Sequence, residues 1–204
     1  MKINERIQNY FRTKSPFRIT TDLLFYLLIL SLLIPFSRKF VATGMNRLTM
    51  HRPAIIRETS RISLLDGDYN WTLMDMEGTP VSFMEFRDEV VFLSFWATWC
   101  PPCRAEMPNI QHLFEQYDDR VNFILASQEA PETILHFMKD HGYSMPVYRL
   151  VQNPPARLST STIPTTFLIG PGGKIHVRKT GAARWDGKFF RAYLDKMLLQ
   201  IDNK

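Results

Sequence analysis

Cysteine is nearly absent: Cys100 and Cys103 are the only two in 204 residues. That excludes a small disulfide-stapled scaffold, which needs several bridges to hold it. A structural zinc site is also excluded, because it normally takes four ligands. The five histidines, at 51, 112, 136, 141 and 176, show no ligand spacing to one another. There is no internal repeat and no low-complexity tract. The longest apolar stretch, "LLFYLLILSLLIPF" from Leu23 to Phe36, is broken only by Ser31. As a helix, 14 such residues reach about 21 Å, short of the roughly 30 Å bilayer core.

What is present is an ordinary globular composition, 45% hydrophobic and 22% charged, with a formal charge of +5. The charge is unevenly placed. Residues 1–65 hold 11 Lys/Arg against 3 Asp/Glu, and the remainder holds 14 against 17. The basic surplus belongs to the N-terminal extension, which argues against nucleic acid as a partner of the folded part. A span starting at Ile19, with Arg18 before it and Arg38 and Lys39 after, gains a turn and lets its ends snorkel. Residues 1–18 therefore read as a basic segment, 19–39 as a transmembrane signal-anchor lodged in the lipid bilayer, and 40–65 as a linker. A cleaved signal peptide is the rival, disfavoured because Arg38 and Lys39 stand where small residues should precede cleavage. Five basic residues flank the span on each side, so charge does not set its orientation.

From Asp66 to the end, strand and helix patterns alternate. "YNWTLMD" and "TPVSFMEF" flank a turn and suggest a hairpin. "VVFLSFW" (90–96) has the continuous apolar character of a strand covered on both faces. Helical spacing follows through "CRAEMPNIQHLFEQY", with Pro108 expected to bend it. Then come a buried strand at 121–127, an amphipathic helix at 130–143, a short strand at 146–150, a hairpin over 165–181 and a helix over 185–201. The pattern is α/β: a mixed sheet flanked by helices. Trp71 and Trp185 are expected to pack in the core.

The chemistry concentrates in "FWATWCPPCRAEMP", residues 95–108. Cys100 falls where strand gives way to helix, beside the unpaired N–H groups of a helix start. Those donors favour thiolate over thiol, the form that attacks disulfides. Cys100 is then the attacking, exposed thiol, and Cys103, one turn on, the more buried resolving one. A static clip across two intervening residues would constrain little of the unfolded chain. Two-coordinate copper on the thiols remains an alternative. Glu106, three residues after Cys103, shares its helix face and is a candidate acceptor of the Cys103 proton.

Together with "IPTTFLIGPGGKI" at 163–175, this stretch resembles thioredoxin-fold proteins, and most closely the membrane-tethered TlpA/ResA-like branch. The resemblance covers residues 66–202 and leaves out the extension; the thioredoxin-like domain is placed at 66–204. It implies that Pro164 is cis beside the cysteines, that the Ile163 backbone pairs with an extended substrate, and that Trp99 covers the sulfur. Proteins of this branch place a Glu where Glu106 stands. Thioredoxins proper carry a buried acid where this chain has Ser94. The segment 118–145 is longer than in plain thioredoxin, and no room exists for the larger insertion of DsbA-like oxidases. Peroxiredoxins resemble the fold but carry Pro-x-x-x-Thr-x-x-Cys, whose Pro and Thr are missing from "LSFWATWC".

The resemblance further implies thiol–disulfide exchange outside a bacterial cytoplasmic membrane, with disulfide-bonded proteins as substrates and a membrane thiol donor as electron source. No cofactor is needed beyond the Cys100–Cys103 pair. Cytochrome c assembly and envelope redox repair fit equally. Net reduction or net oxidation stays open, since the cysteines serve either.

Overall fold

The computed structural model describes residues 16–33 and 50–203. The chain forms two compact units, residues 1–42 and 43–204. In the first unit the described part is helix α1, Pro16–Leu33. Among the described residues no helix is long and apolar enough to cross a membrane. The expected span of 19–39 continues into residues 34–39, which lie outside the described residues.

The second unit is built on seven strands: β1 (Thr72–Met74), β2 (Pro80–Ser82), β3 (Val91–Phe95), β4 (Asn122–Ser127), β5 (Val147–Leu150), β6 (Thr165–Ile169) and β7 (Ile175–Thr180). They lie in the order β2-β1-β5-β4-β3-β6-β7. β3, β4 and β5 are parallel, and the remaining pairings are antiparallel. β3 is buried along its whole length, as its unbroken apolar run requires. The turn between β1 and β2 is set by Asp75, whose Oδ1 accepts the N–H groups of Glu77 and Thr79.

Among the described residues, three α-helices complete the unit: α2 (Pro101–Tyr117), α3 (Pro131–His141) and α4 (Lys188–Asp202). β3-α2-β4 and β4-α3-β5 step the same way across the sheet, so right-handed crossovers put both helices on one face. α4 joins them there. Met107, Ile110 and Leu113 of α2, Ile134 and Phe137 of α3, and Phe190 and Leu194 of α4 share one core with Phe92, Phe123 and Leu168. The intervening strand residues, Val91, Leu93, Ile124 and Phe167, face the second core. Among the described residues, Leu64, Tyr69, Trp71, Phe83 and Leu158 close that side.

Two expectations change in detail. α4 begins after Gly187, so Trp185 precedes it and turns into the core. From residue 51, part of the expected linker lies along β7: Ile56 N–H donates to His176 O (2.8 Å), Ile175 N–H to Ile62 O (2.9 Å), and Leu64 N–H to Gly173 O (2.9 Å). Those bonds are between backbones, so no side-chain periodicity announces them.

Candidate active site

β3 delivers the chain to the N-terminus of α2. Trp96 N–H donates to Ala126 O across to β4 (3.1 Å), and Arg104 N–H to Cys100 O (3.0 Å), the first helical bond. Cys100 is thus the N-cap, a place usually held by an oxygen-bearing side chain. Here sulfur takes the role: Cys103 N–H points at Cys100 Sγ, 3.3 Å away. Pro101 and Pro102 occupy the first turn, where a missing donor costs nothing.

Cys100 and Cys103 are joined as a disulfide, Cα–Cα 5.3 Å. The exposed sulfur expected at Cys100 is corrected for this oxidised state, in which Cys100 is 3% and Cys103 0% exposed. The bridge and the neighbouring Ile163 carbonyl oxygen, 3.9 Å from Cys100 Sγ, tuck it in. Opening the bridge leaves a sulfur already facing the N–H group and positive end of a helix, the setting that stabilises a thiolate.

The Ile163–Pro164 peptide is cis, and Pro164 is buried. Trp99, expected to cover the sulfur, is 63% exposed. With the half-buried Ile163 it borders a groove of about 530 Å³ that also touches Trp96, Gln128, Glu129 and Asn153. Ser94, at the position of a thioredoxin's buried acid, shares a hydroxyl–hydroxyl bond with Thr166 (2.8 Å).

Glu106 is 1% exposed, on α2 one turn beyond Cys103. Its Oε2 accepts two hydrogen bonds at 2.9 Å, from Ala183 N–H and from the Trp185 indole N–H. Oε1 is buried with no partner. Burial pushes the carboxyl pKa up to about 8, against the pull of those two donors and of Lys179. Such a group changes protonation near neutrality, as a proton acceptor must.

Two contributors escaped the sequence. Trp185 was assigned to packing, and its bond to Glu106 spans 79 residues. Glu129 grips the loop before the cysteines: Thr98 N–H (2.6 Å) and Thr98 Oγ–H (2.7 Å) both donate to its carboxylate. Its place just past the carboxyl end of parallel strand β4 was the available signal, since crevices form there. Among the described residues, no group of three or more His, Cys, Asp or Glu side chains is arranged to hold a metal ion.

Comparison with known proteins follows the same stretch of chain. Thiol-disulfide oxidoreductase ResA of Halalkalibacterium halodurans is 36% identical over 115 residues, covering 55% of this chain and 65% of that protein. ResA of Bacillus subtilis is 32% identical over 115 residues, covering 55% and 64%. The match therefore spans just under two thirds of either relative's length. A crystal structure of a secreted Mycobacterium tuberculosis disulfide oxidoreductase shares the fold, with TM-score 0.54 at 18% identity over 67% of this chain and 99% of that one. The AhpC/TSA family pattern matches residues 69–178, which hold the cysteine pair, Glu106, Pro164 and strands β1 to β6. On that match over half its length, the chain belongs to the AhpC/TSA family, in thioredoxin-fold form.

Proposed function

We propose that this protein exchanges thiols for disulfides and reduces disulfide-bonded proteins. The observation that carries the reading is the Cys103 N–H aimed at Cys100 Sγ at the mouth of α2. In the reduced protein the Cys100 thiolate attacks a substrate disulfide. One substrate sulfur leaves as a thiolate and takes a proton from water, and the other stays bonded to Cys100. Cys103 then gives its proton to Glu106 and attacks Cys100 Sγ. The Cys100–substrate bond breaks, the second substrate sulfur leaves, and the protein is left with the bridge seen here. Two electrons have passed to the substrate. A membrane thiol donor restores the dithiol.

The rim offers an extended substrate the Ile163 backbone and the exposed Trp99 ring. The named relatives support this chemistry. Residues 19–39 as a bilayer anchor, with the catalytic domain outside a bacterial cytoplasmic membrane, belong to the same proposal. Service to cytochrome c maturation or to envelope redox repair completes it.

The test uses the full chain in detergent micelles with a disulfide-bonded test protein and dithiothreitol. Reduction well above the uncatalysed rate is expected, together with a Cys100 thiol titrating below the ordinary range of about 8.5. An ordinary thiol and no turnover overturn the reading. The pair's reduction potential then gives the direction, since about 30 mV is a tenfold change in a two-electron exchange. A strongly oxidising value turns the assignment to disulfide donation.

A further inference from the structure

Glu106 and the cysteines sit on one helix, yet the groups that hold the carboxyl come from a loop beyond the last strand. That loop, residues 181–187 between β7 and α4, is fastened at three points. Gly181, at φ 79°, donates its N–H to Pro164 O (2.8 Å), beside the cysteine bridge. Ala183 pairs with His51, and Arg184 N–H donates to His51 O (3.2 Å), so the strip entering the domain braces it from outside. Trp185 is 0% exposed, with its ring edge-on to Phe92 (5.0 Å between centroids, 89°) and against Phe190 (5.2 Å, 74°). Packing on two sides leaves the indole no freedom to swing its N–H away from Glu106.

We propose that Trp185 is a positioning residue for proton transfer: with the Ala183 N–H it pins Oε2 of Glu106 and reserves the unpartnered Oε1 for the Cys103 proton. The inference rests on the proton role given to Glu106 above. A carboxyl free to rotate in an apolar pocket would present either oxygen, and one whose oxygens were both engaged by donors would offer an incoming proton a more crowded site. Two donors on one oxygen settle the orientation. They also favour the charged form, offsetting part of the desolvation that raises the pKa. Lys179 on β7 acts in the same direction, and Cys103 is the titratable neighbour on α2. When Cys103 Sγ–H loses its proton to Oε1, charge moves from carboxylate to sulfur, and the sulfur spends it in forming the bond to Cys100.

The test is Trp185→Phe, which keeps an aromatic ring and removes the N–H. The rate of mixed-disulfide resolution is followed against pH in the full chain by rapid acid quench. In the parent protein the rate should rise through a limb set by the raised Glu106 carboxyl, near pH 8. In the variant the limb should move up by about one to two pH units, the worth of a hydrogen bond to a charged group. Resolution at pH 7 should slow by about tenfold or more, while the initial attack by Cys100 keeps its pH profile. Loss of packing alone lowers the melting temperature and leaves the midpoint where it was. Should Trp185→Phe fold poorly, the tryptophan analogue with sulfur in place of the ring nitrogen, placed at 185, keeps the shape and lacks the donor. An unmoved midpoint in either folded variant overturns the proposal and leaves the proton role of Glu106 standing. A limb that persists in Glu106→Gln overturns both.

Discussion

Ser94 and Thr166 face each other in register across β3 and β6, with their hydroxyl oxygens 2.8 Å apart inside the sheet. Each satisfies the other where no water reaches. Replacing one alone, Ser94→Ala or Thr166→Val, leaves a buried hydroxyl without its partner and should cost about 1–3 kcal/mol. The double variant should recover most of that loss. Chemical denaturation of the four proteins gives the cycle, and strictly additive losses would show that the pair is not coupled.

The cysteine roles separate in two variants. Cys103→Ser should accumulate substrates on Cys100 as mixed disulfides, seen as slower-migrating bands on non-reducing gels. Cys100→Ser should abolish exchange. Retained activity in Cys100→Ser would reverse the assignment.

Glu106 makes stability depend on pH. Its carboxyl binds a proton up to about pH 8 in the folded protein, and in the unfolded chain only up to its ordinary value near 4.5. Between these pH values the native state holds the extra proton. The contribution is therefore complete at the acid end and is lost as pH rises through about 8. Denaturant midpoints of the oxidised protein should fall over that range, and Glu106→Gln should flatten the decline. The same variant should slow resolution about 10²-fold or more with the fold intact.

His176 works in the opposite sense. Burial, aided by Arg61 and Lys174, lowers its pKa from 6.5 to about 4. Its Nδ1 meets Tyr193 Oη (2.6 Å), and that oxygen accepts from Arg61 (3.1 Å). With Arg61 donating, the tyrosine donates to a neutral imidazole. The unfolded chain takes up its proton first, so stability is full above about 6.5 and drops as pH falls toward 4. His176→Gln should weaken this acid limb. Urea titrations at pH 4.5 and 7 measure it, and an unchanged difference would remove His176 from the account.

Local patterns carried most of the fold. The apolar run of β3, the proline-rich start of α2 and the β6–β7 hairpin each lie within one short contiguous stretch, where periodicity and turn chemistry suffice. What escaped depends on partners far along the chain. Nothing around Trp185 in "AARWDG" signals a carboxylate 79 residues away. Residues 51–64 join β7 through backbone groups, which every residue possesses. The burial of Cys100 belongs to the oxidised pair and to Ile163, neither visible in a list of residue types.

The strip from His51 to Leu64 takes up the Ile175 N–H and the His176 carbonyl where the outer flank of β7 begins, and at the opposite border β2 is three residues long and begins with Pro80. Both margins thus offer a shortened template to a stray strand. A second extended chain therefore finds less to zip onto at the sides of the sheet. Short, guarded flanks of this kind lower the risk of edge-to-edge aggregation between copies of the protein itself.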